Sequence, residues 1–276
     1  MAINPQDVKK LRDKTGAGFG DCKKALEAAN GDFAAAEKKL KEMGAASAEK
    51  RSGRSAEEGR VFTYVSSKGA GILNLSCETD FVARNESFVE FGNKLIKELV
   101  EGEKSSVGSE YDPEIKEIAA LIKENVNVRD YSFISLSETD KAVDYIHGEG
   151  RIGVLIKLSS DDPNKVKDAK VQELGLDLAL HAAAYNPQFL SRDAVDPDFI
   201  KENEEIFRAQ VAKMDKPEKV MEGIIKGKLN KHLSSVVFLN QGFVKDDKLS
   251  VEQAIKGVSK ELGTALSLTD YKYFAI

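Results

Sequence analysis

The chain has 276 residues, 41% of them hydrophobic and 32% charged, with two cysteines, no tryptophan and a formal net charge of −5. That length accommodates two compact domains, no apolar run reaches the roughly 18 residues of a membrane helix, and the start MAINPQDVKK lacks a secretory pattern, so the expectation is a cytoplasmic protein without membrane contact. Residues 1–54 carry 12 Lys and Arg against 8 Asp and Glu, net +4, leaving −9 for the remainder, a balance that argues against direct nucleic-acid binding by the whole chain.

In chain order, Asn4-Pro5 is a helix start, Val8 and Leu11 recur at helical spacing, and Thr15-Gly16 ends the element. A second helix is predicted over residues 21–29, with Ala25, Leu26 and Ala29 on one side. Asp32 caps a third, in which Phe33, Ala36 and Leu40 face inward and Met43-Gly44 is the stop. Residues 1–45 thus read as a three-helix domain, too small to be more than marginally stable alone. Residues 46–60 hold no large apolar side chain and are expected to form a flexible linker. Strands over 61–65 and 72–75 make a hairpin, and after the stretch CETDFVARN, residues 77–85, the positions Phe88, Phe91, Leu95, Ile96 and Leu99 trace a helix capped by Asn85.

The same layout recurs downstream. Strands are predicted over 131–136 and 142–147, HGEGRIG turns the chain, a strand returns over 154–158, and Val171, Leu174, Leu178 and His181 mark a helix. GILNL aligns with GVLIK and EFGNKLI with ELGLDLA without gaps, at spacings of 82 and 83 residues, which points to an internal duplication. The expected divisions are residues 61–138 and 139–276. Within the second, residues 197–235 form a projecting helical hairpin with arms from Asp196-Pro197 to about Met214 and from Asp215-Lys216-Pro217 to about Leu233. Phe199, Asn203, Ile206, Gln210, Val220, Ile224 and Leu233 provide its thin apolar seam. Ser250 and Gln253 form a capping box for a last helix, and residues 271–276 close the chain as a strand. Strand runs with helices packed on them, not regular βαβ alternation, give an α+β fold.

Catalytic chemistry is missing from this pattern. TGAGFG, residues 15–20, has the glycines of a phosphate loop but follows a helix where such a loop needs a strand. Cys22 and Cys77 lack C-x-x-C spacing and read as buried apolar side chains. The three histidines are scattered, with His181 on an apolar helix face where a hydrogen-bonded core or interface imidazole is expected. Cys77, Glu78, Asp80 and His181 have no metal-ligand spacing. No catalytic residue, metal or cofactor is assigned, and the chain is not expected to be an enzyme. Instead Asp80-Phe81, Arg151-Ile152-Gly153 and Gly242-Phe243-Val244 place apolar groups where the chain turns, as a protein-binding surface would. On the three-helix region alone, a ubiquitin-like or other protein-binding adaptor is the rival reading.

The motifs LRDKTGAGFGDCKKALEAANGD at 11–32, TDFVARN at 79–85, HGEGRIGVL at 147–155, HAAAYNP at 181–187, KPEKVMEGIIKGKLNK at 216–231 and QGFVKD at 241–246 together resemble bacterial translation elongation factor Ts from end to end. That resemblance implies a guanine-nucleotide exchange factor for the GTPase elongation factor Tu. It also implies a ubiquitin-associated-like (UBA-like) three-helix domain, a core of two related α+β subdomains with antiparallel sheets, and a helical hairpin. By motif position it implies that Lys23 contacts the GTPase domain of Tu. Asp80 and Phe81, with Val82 beside them in TDFV, press between helices near the magnesium site of Tu, and Ile152, Gly153, His181 and Val244 add further contacts. It leaves open whether two copies associate through the hairpin. The chain departs from the family pattern at Lys245, in residues 102–113 and at its short C-terminal end.

Overall fold

The computed structural model describes residues 3–212, 214 and 217–276. Packing divides the chain into two compact units, one of residues 1–62, 73–132 and 276, the other of residues 63–72 and 133–275. The first contains α1 (Pro5–Thr15), α2 (Phe19–Ala28), α3 (Phe33–Arg51), most of β1 (Glu58–Val65) and β2 (Gly69–Cys77), α4 (Asp80–Ala83), α5 (Glu86–Glu101), α6 (Asp112–Ile122) and the greater part of β3 (Asn127–Ser135). The second contains β4 (Asp140–His147), β5 (Ile152–Ser160), α7 (Ala169–Tyr185), α8 (Pro197–Val211), α9 (Glu218–Val236), β6 (Gly242–Phe243), β7 (Asp246–Ser250), α10 (Val251–Leu262) and β8 (Leu266–Ala275). Helices and antiparallel sheets in this arrangement make an α+β protein with a helical N-terminal region.

Local chemistry sets the N-terminal helices. The Asn4 side chain accepts from the Gln6 N–H before Pro5, and Gly16 at φ 68° ends α1 in the left-handed region. Val8, Leu11, Cys22, Ala25, Leu26 and Ala36 form the core among the three helices. The third does not end at Met43-Gly44. It runs on to Arg51, so residues 46–51 of the expected linker are helix and residues 58–60 already belong to β1. Two causes are visible. Ala-Ala-Ser-Ala-Glu-Lys is a run of good helix formers, and Gly44 acts as a contact glycine, since a Cβ there would lie 2.9 Å from that of Ala120 on α6. Arg51 secures the same contact by donating to Ser47 Oγ at 2.6 Å and to the Ala119 carbonyl at 3.0 Å. Residues 3–45 thus share a compact unit with the greater part of the first sheet.

The first sheet has the order β1-β2-β3, with β2 buried along its whole length as its central strand. The strand predicted over 131–136 as part of the second copy is the third strand of this sheet. The second sheet, ordered β4-β5-β8, takes its third strand from the C-terminal segment, where Val154 pairs with Tyr273 and Ile156 with Tyr271. Its core gathers Val154, Ile156, Leu174, Leu178, Phe238 and Ile255.

Two glycines carry the duplication into packing. Gly92 on α5 lies so close to the Phe62 ring of β1 that a Cβ would overlap it, and a Cβ on Gly175 of α7 would lie 2.5 Å from Val143 Cγ2 of β4. Each hairpin is thus followed by a helix seated through a glycine against its first strand, 83 residues apart on the helices and 81 on the strands.

In the hairpin, Asp196 caps α8, and α9 follows Pro217; the predicted start of the second arm at Asp215-Lys216 lies outside the described residues. The seam is Phe199, Ile200, Phe207, Leu229 and Leu233. Ile206 and Val220, expected within it, are exposed, each rotated about 100° per residue from the packed row. Ser250 and Gln253 form both bonds of the capping box that starts α10. Among the described residues no helix is long and apolar enough to cross a membrane.

Candidate functional site

The TDFV stretch lies where β2 hands over to α5, and its backbone is tied down from a distant segment. Glu124 Oε2 accepts from the N–H groups of Glu78 and Thr79, both at 3.0 Å, and Glu124 Oε1 accepts from the Thr79 hydroxyl at 2.7 Å. Glu78 returns the contact, its Oε1 accepting from the Asn125 N–H at 2.7 Å. The Asn125 carboxamide in turn donates to the carbonyls of Ser52 and Arg54. Thr79, held this way, caps the single turn of α4 by accepting from the Val82 N–H. Beneath it Cys77 donates its thiol hydrogen to the Thr79 carbonyl, and burial pushes that thiol up to about 12, so it stays protonated and unreactive.

On this mount the Phe81 side chain faces outward and is 82% exposed. Leaving a phenyl group in water forgoes about 1.5–3 kcal/mol of burial. Asp80 is half-exposed beside it, with Arg84 Nη2 at 3.9 Å, a weak pair that leaves the carboxylate accessible. Val82 is half-buried and Ala83 buried, which seats α4 on its own unit and leaves Phe81 as the projecting group.

In the same unit Lys23 is exposed on α2, with its Nζ 3.8 Å from Glu27 one turn on. Phe19, one turn before, shares that face and is 49% exposed. The face therefore combines a cation and an aromatic ring, of which the sequence reading singled out the lysine alone.

The second unit holds the remaining candidates, and they differ in kind. Ile152 and Gly153 open β5, paired with His147 and Ile146 on one side and Ala275 and Phe274 on the other. Ile152 is half-buried against the core and Gly153 is buried, so neither projects as Phe81 does. What is unusual is the turn before them, where Gly148, Glu149 and Gly150 all have positive φ, at 58°, 57° and 95°. Glycine suits two of these, while Glu149 holds a conformation that side chains rarely adopt.

His181 is not on the surface at all. It is fully buried on α7, stacked on Phe238 at 5.4 Å and capped by Tyr185 at 4.7 Å. Burial lowers its pKa, against the opposing effect of a hydrogen bond to Gln241, and so favours the neutral ring. Its Nδ1 receives the Val244 N–H at 3.1 Å and its Nε2 meets Gln241 Oε1 at 2.9 Å. Val244 itself is 39% exposed and Phe243 is tucked beneath it, so this turn presents one apolar side chain and buries the other. Lys245, the departure from the family pattern, has a structural partner: its Nζ lies 2.7 Å from the nearly buried Asp177 carboxylate and 3.8 Å from Glu173. Among the described residues no cluster of His, Cys, Asp and Glu is gathered as a metal site.

Of the expected binding residues, then, Lys23, Phe81 and Val244 are exposed, Asp80, Val82 and Ile152 are half-buried, and Gly153 and His181 are inside. Glu124, Gln241, Phe19 and Tyr185 were missed. Phe19, Tyr185 and Gln241 lie within the motifs at 11–32, 181–187 and 241–246, whereas Glu124 gives no local signal because its partners are about 45 residues away in sequence.

A family model described as Elongation factor TS matches residues 78–276. Proteins named elongation factor Ts share 54% identity with this chain in Borrelia hermsii, over all of both chains, and 51% in Borreliella afzelii, over 99% of each. The one in Treponema denticola is 44% identical over all of this chain and 99% of its own. A family match over more than half the length, together with end-to-end identity at this level, places the molecule by descent: the chain belongs to the elongation factor Ts family of translation elongation factors.

Proposed function

We propose that the protein is a guanine-nucleotide exchange factor for the GTPase elongation factor Tu, working in the cytoplasm and making or breaking no bond itself. The observation that carries this reading is the Phe81 ring, 82% exposed on a turn fixed by Glu124. In the complex the ring enters a gap between helices of the GTPase domain near its magnesium site, with Asp80 alongside. Burial of the ring, worth about 1.5–3 kcal/mol, is available only in the open, nucleotide-free form and so favours it. Linkage makes the effect reciprocal, so the factor by which this chain weakens GDP binding is the factor by which GDP weakens the complex, and incoming GTP completes the cycle by displacing it.

The other exposed groups fit as docking contacts. Lys23 and Phe19 on α2 engage the GTPase domain, and Val244 makes a contact of its own, with His181 acting from beneath it. The half-buried Val82 and Ile152 and the buried Gly153 are read as contact positions on the resemblance alone. The decisive experiment is Phe81→Ala in a stopped-flow assay of fluorescent GDP release from Tu. The variant should fold normally, because its side chain packs against little, and should accelerate release about tenfold less than the parent chain. Release at the parent rate would remove the wedge.

A further inference from the structure

Four groups in the second unit form a directed hydrogen-bond chain. At one end the Val244 main-chain N–H points at His181 Nδ1, 3.1 Å away. His181 Nε2 meets Gln241 Oε1 at 2.9 Å, and Gln241 Nε2 reaches the Ser235 carbonyl at 2.7 Å, near the end of α9. An amide N–H can only donate and a carbonyl oxygen can only accept, so the two ends fix everything between them. The Gln241 amide must point its NH2 group at Ser235 and its oxygen at His181. His181 must carry its proton on Nε2 and accept on Nδ1. Both rings and amides that are ordinarily ambiguous have a single solution here.

The surroundings favour this arrangement. His181 is fully buried and Gln241 nearly so, which makes an unmet donor or acceptor expensive at either residue. Stacking by Tyr185 and Phe238 holds the plane of the imidazole. On the far side of the turn, Lys245 is anchored to Asp177 of α7, one helical turn before His181. The Val244 turn is thus secured on both sides, and its exposed side chain can point only outward.

We propose that Gln241 is a positioning residue: by fixing His181 as the Nε2–H tautomer it makes Nδ1 the acceptor that holds the Val244 turn in its presenting conformation. The part of this that concerns binding rests on the reading of Val244 as a contact to Tu. Gln241 needs no contact with the partner, and His181 acts through Val244 from inside the core.

The test uses the full chain and Gln241→Met, which keeps the volume but removes both side-chain bonds. In the parent, nitrogen NMR of the free chain should show His181 protonated at Nε2 and bare at Nδ1; an Nδ1–H ring, or an even mixture, overturns the proposal before any variant is made. In Gln241→Met the ring should lose its single tautomer, and the Val244 amide should exchange at least about tenfold faster while Val154 and Leu155 in β5 keep their protection. Tu binding should weaken by the same factor as in Val244→Ala, and the double variant should be no weaker than Val244→Ala alone. Additive losses, or unchanged binding where Val244→Ala binds poorly, would refute positioning through Val244. Full binding by Val244→Ala would remove the contact and the binding role with it, while the exchange reading would still be judged by Phe81.

Discussion

Replacing Glu124 tests whether the ring at position 81 depends on its mount. The carboxylate accepts three hydrogen bonds, from the Glu78 and Thr79 N–H groups and the Thr79 hydroxyl. Bonds to an ionised acceptor are worth about 1.5–3 kcal/mol each, but Glu124 is half-exposed and water can replace part of what is lost, so Glu124→Ala should cost about 2–4 kcal/mol locally and not the sum. If that energy holds the β2–α4 corner in one conformation, its loss lowers the fraction of chains competent to bind, and about 2 kcal/mol corresponds to roughly thirtyfold. Glu124→Gln separates geometry from charge. Its oxygen can take the two N–H groups while its NH2 group donates to Thr79 Oγ1, whose hydroxyl is free to turn, so this variant should remain within about threefold of the parent. The measurements are amide exchange at Glu78 and Thr79 in the free chain and release of fluorescent GDP from Tu. Parent-like exchange and release in Glu124→Ala would refute the mount, and a Gln variant as defective as the Ala variant would show that charge, not donor geometry, is what matters.

Two further outcomes concern stability. Gly175→Ala gains up to about 1 kcal/mol of helix propensity but forces a methyl group against Val143, an overpacking that should cost about 1–3 kcal/mol, so urea unfolding should show net destabilisation; a stabilised variant would mean that α7 and β4 can separate freely. Burial opposes ionisation of Asp140, yet bonds from Ser159, Ser137 and Lys157 prevail and hold its carboxyl at about 2. Because the folded value lies below the unfolded one, the stabilisation, about 2 kcal/mol, is complete above about pH 4 and disappears as the pH falls towards 2. The stability difference between parent and Asp140→Asn should shrink across that interval, and a difference independent of pH would contradict the assignment.

Local rules read the elements well and the contacts poorly. Asn4, Asp32, Asn85 and Ser250 are caps whose partners lie within three residues, and a sequence contains everything needed to find them. Gly44 shows where that reasoning ends. A glycine after a helical run signals a stop, but here it lets α3 lie against Ala120, a residue 76 positions away. The rule for chain ends and the rule for close approach use the same residue, and only the packing decides between them. The same holds for β3, whose alternation fits either sheet. In the candidate site the exposed Phe81 and Val244 are legible as apolar residues at turns, whereas the helix position of His181 left core and interface both open, and only the packing puts the ring inside.

Two of the exposed apolar groups share a construction. Phe81 and Val244 each sit on a short turn tied down through main-chain N–H by a side chain from elsewhere: Glu124 takes those of Glu78 and Thr79 in one unit, and His181 takes that of Val244 in the other. A free loop would lose about 1–2 kcal/mol per residue on being ordered against a partner, and for a turn of three or four residues that loss would consume what a buried phenyl group returns. Collecting the N–H groups in the unbound chain moves this ordering into folding, where the core supports it. An exchange factor of the kind proposed would have a particular need for this, because its effect would be a difference between two partner states and any entropy spent on its own loop would weaken its hold on both. On the proposed function, rigid mounting is what would let a side chain of modest burial energy act on a nucleotide held by many contacts.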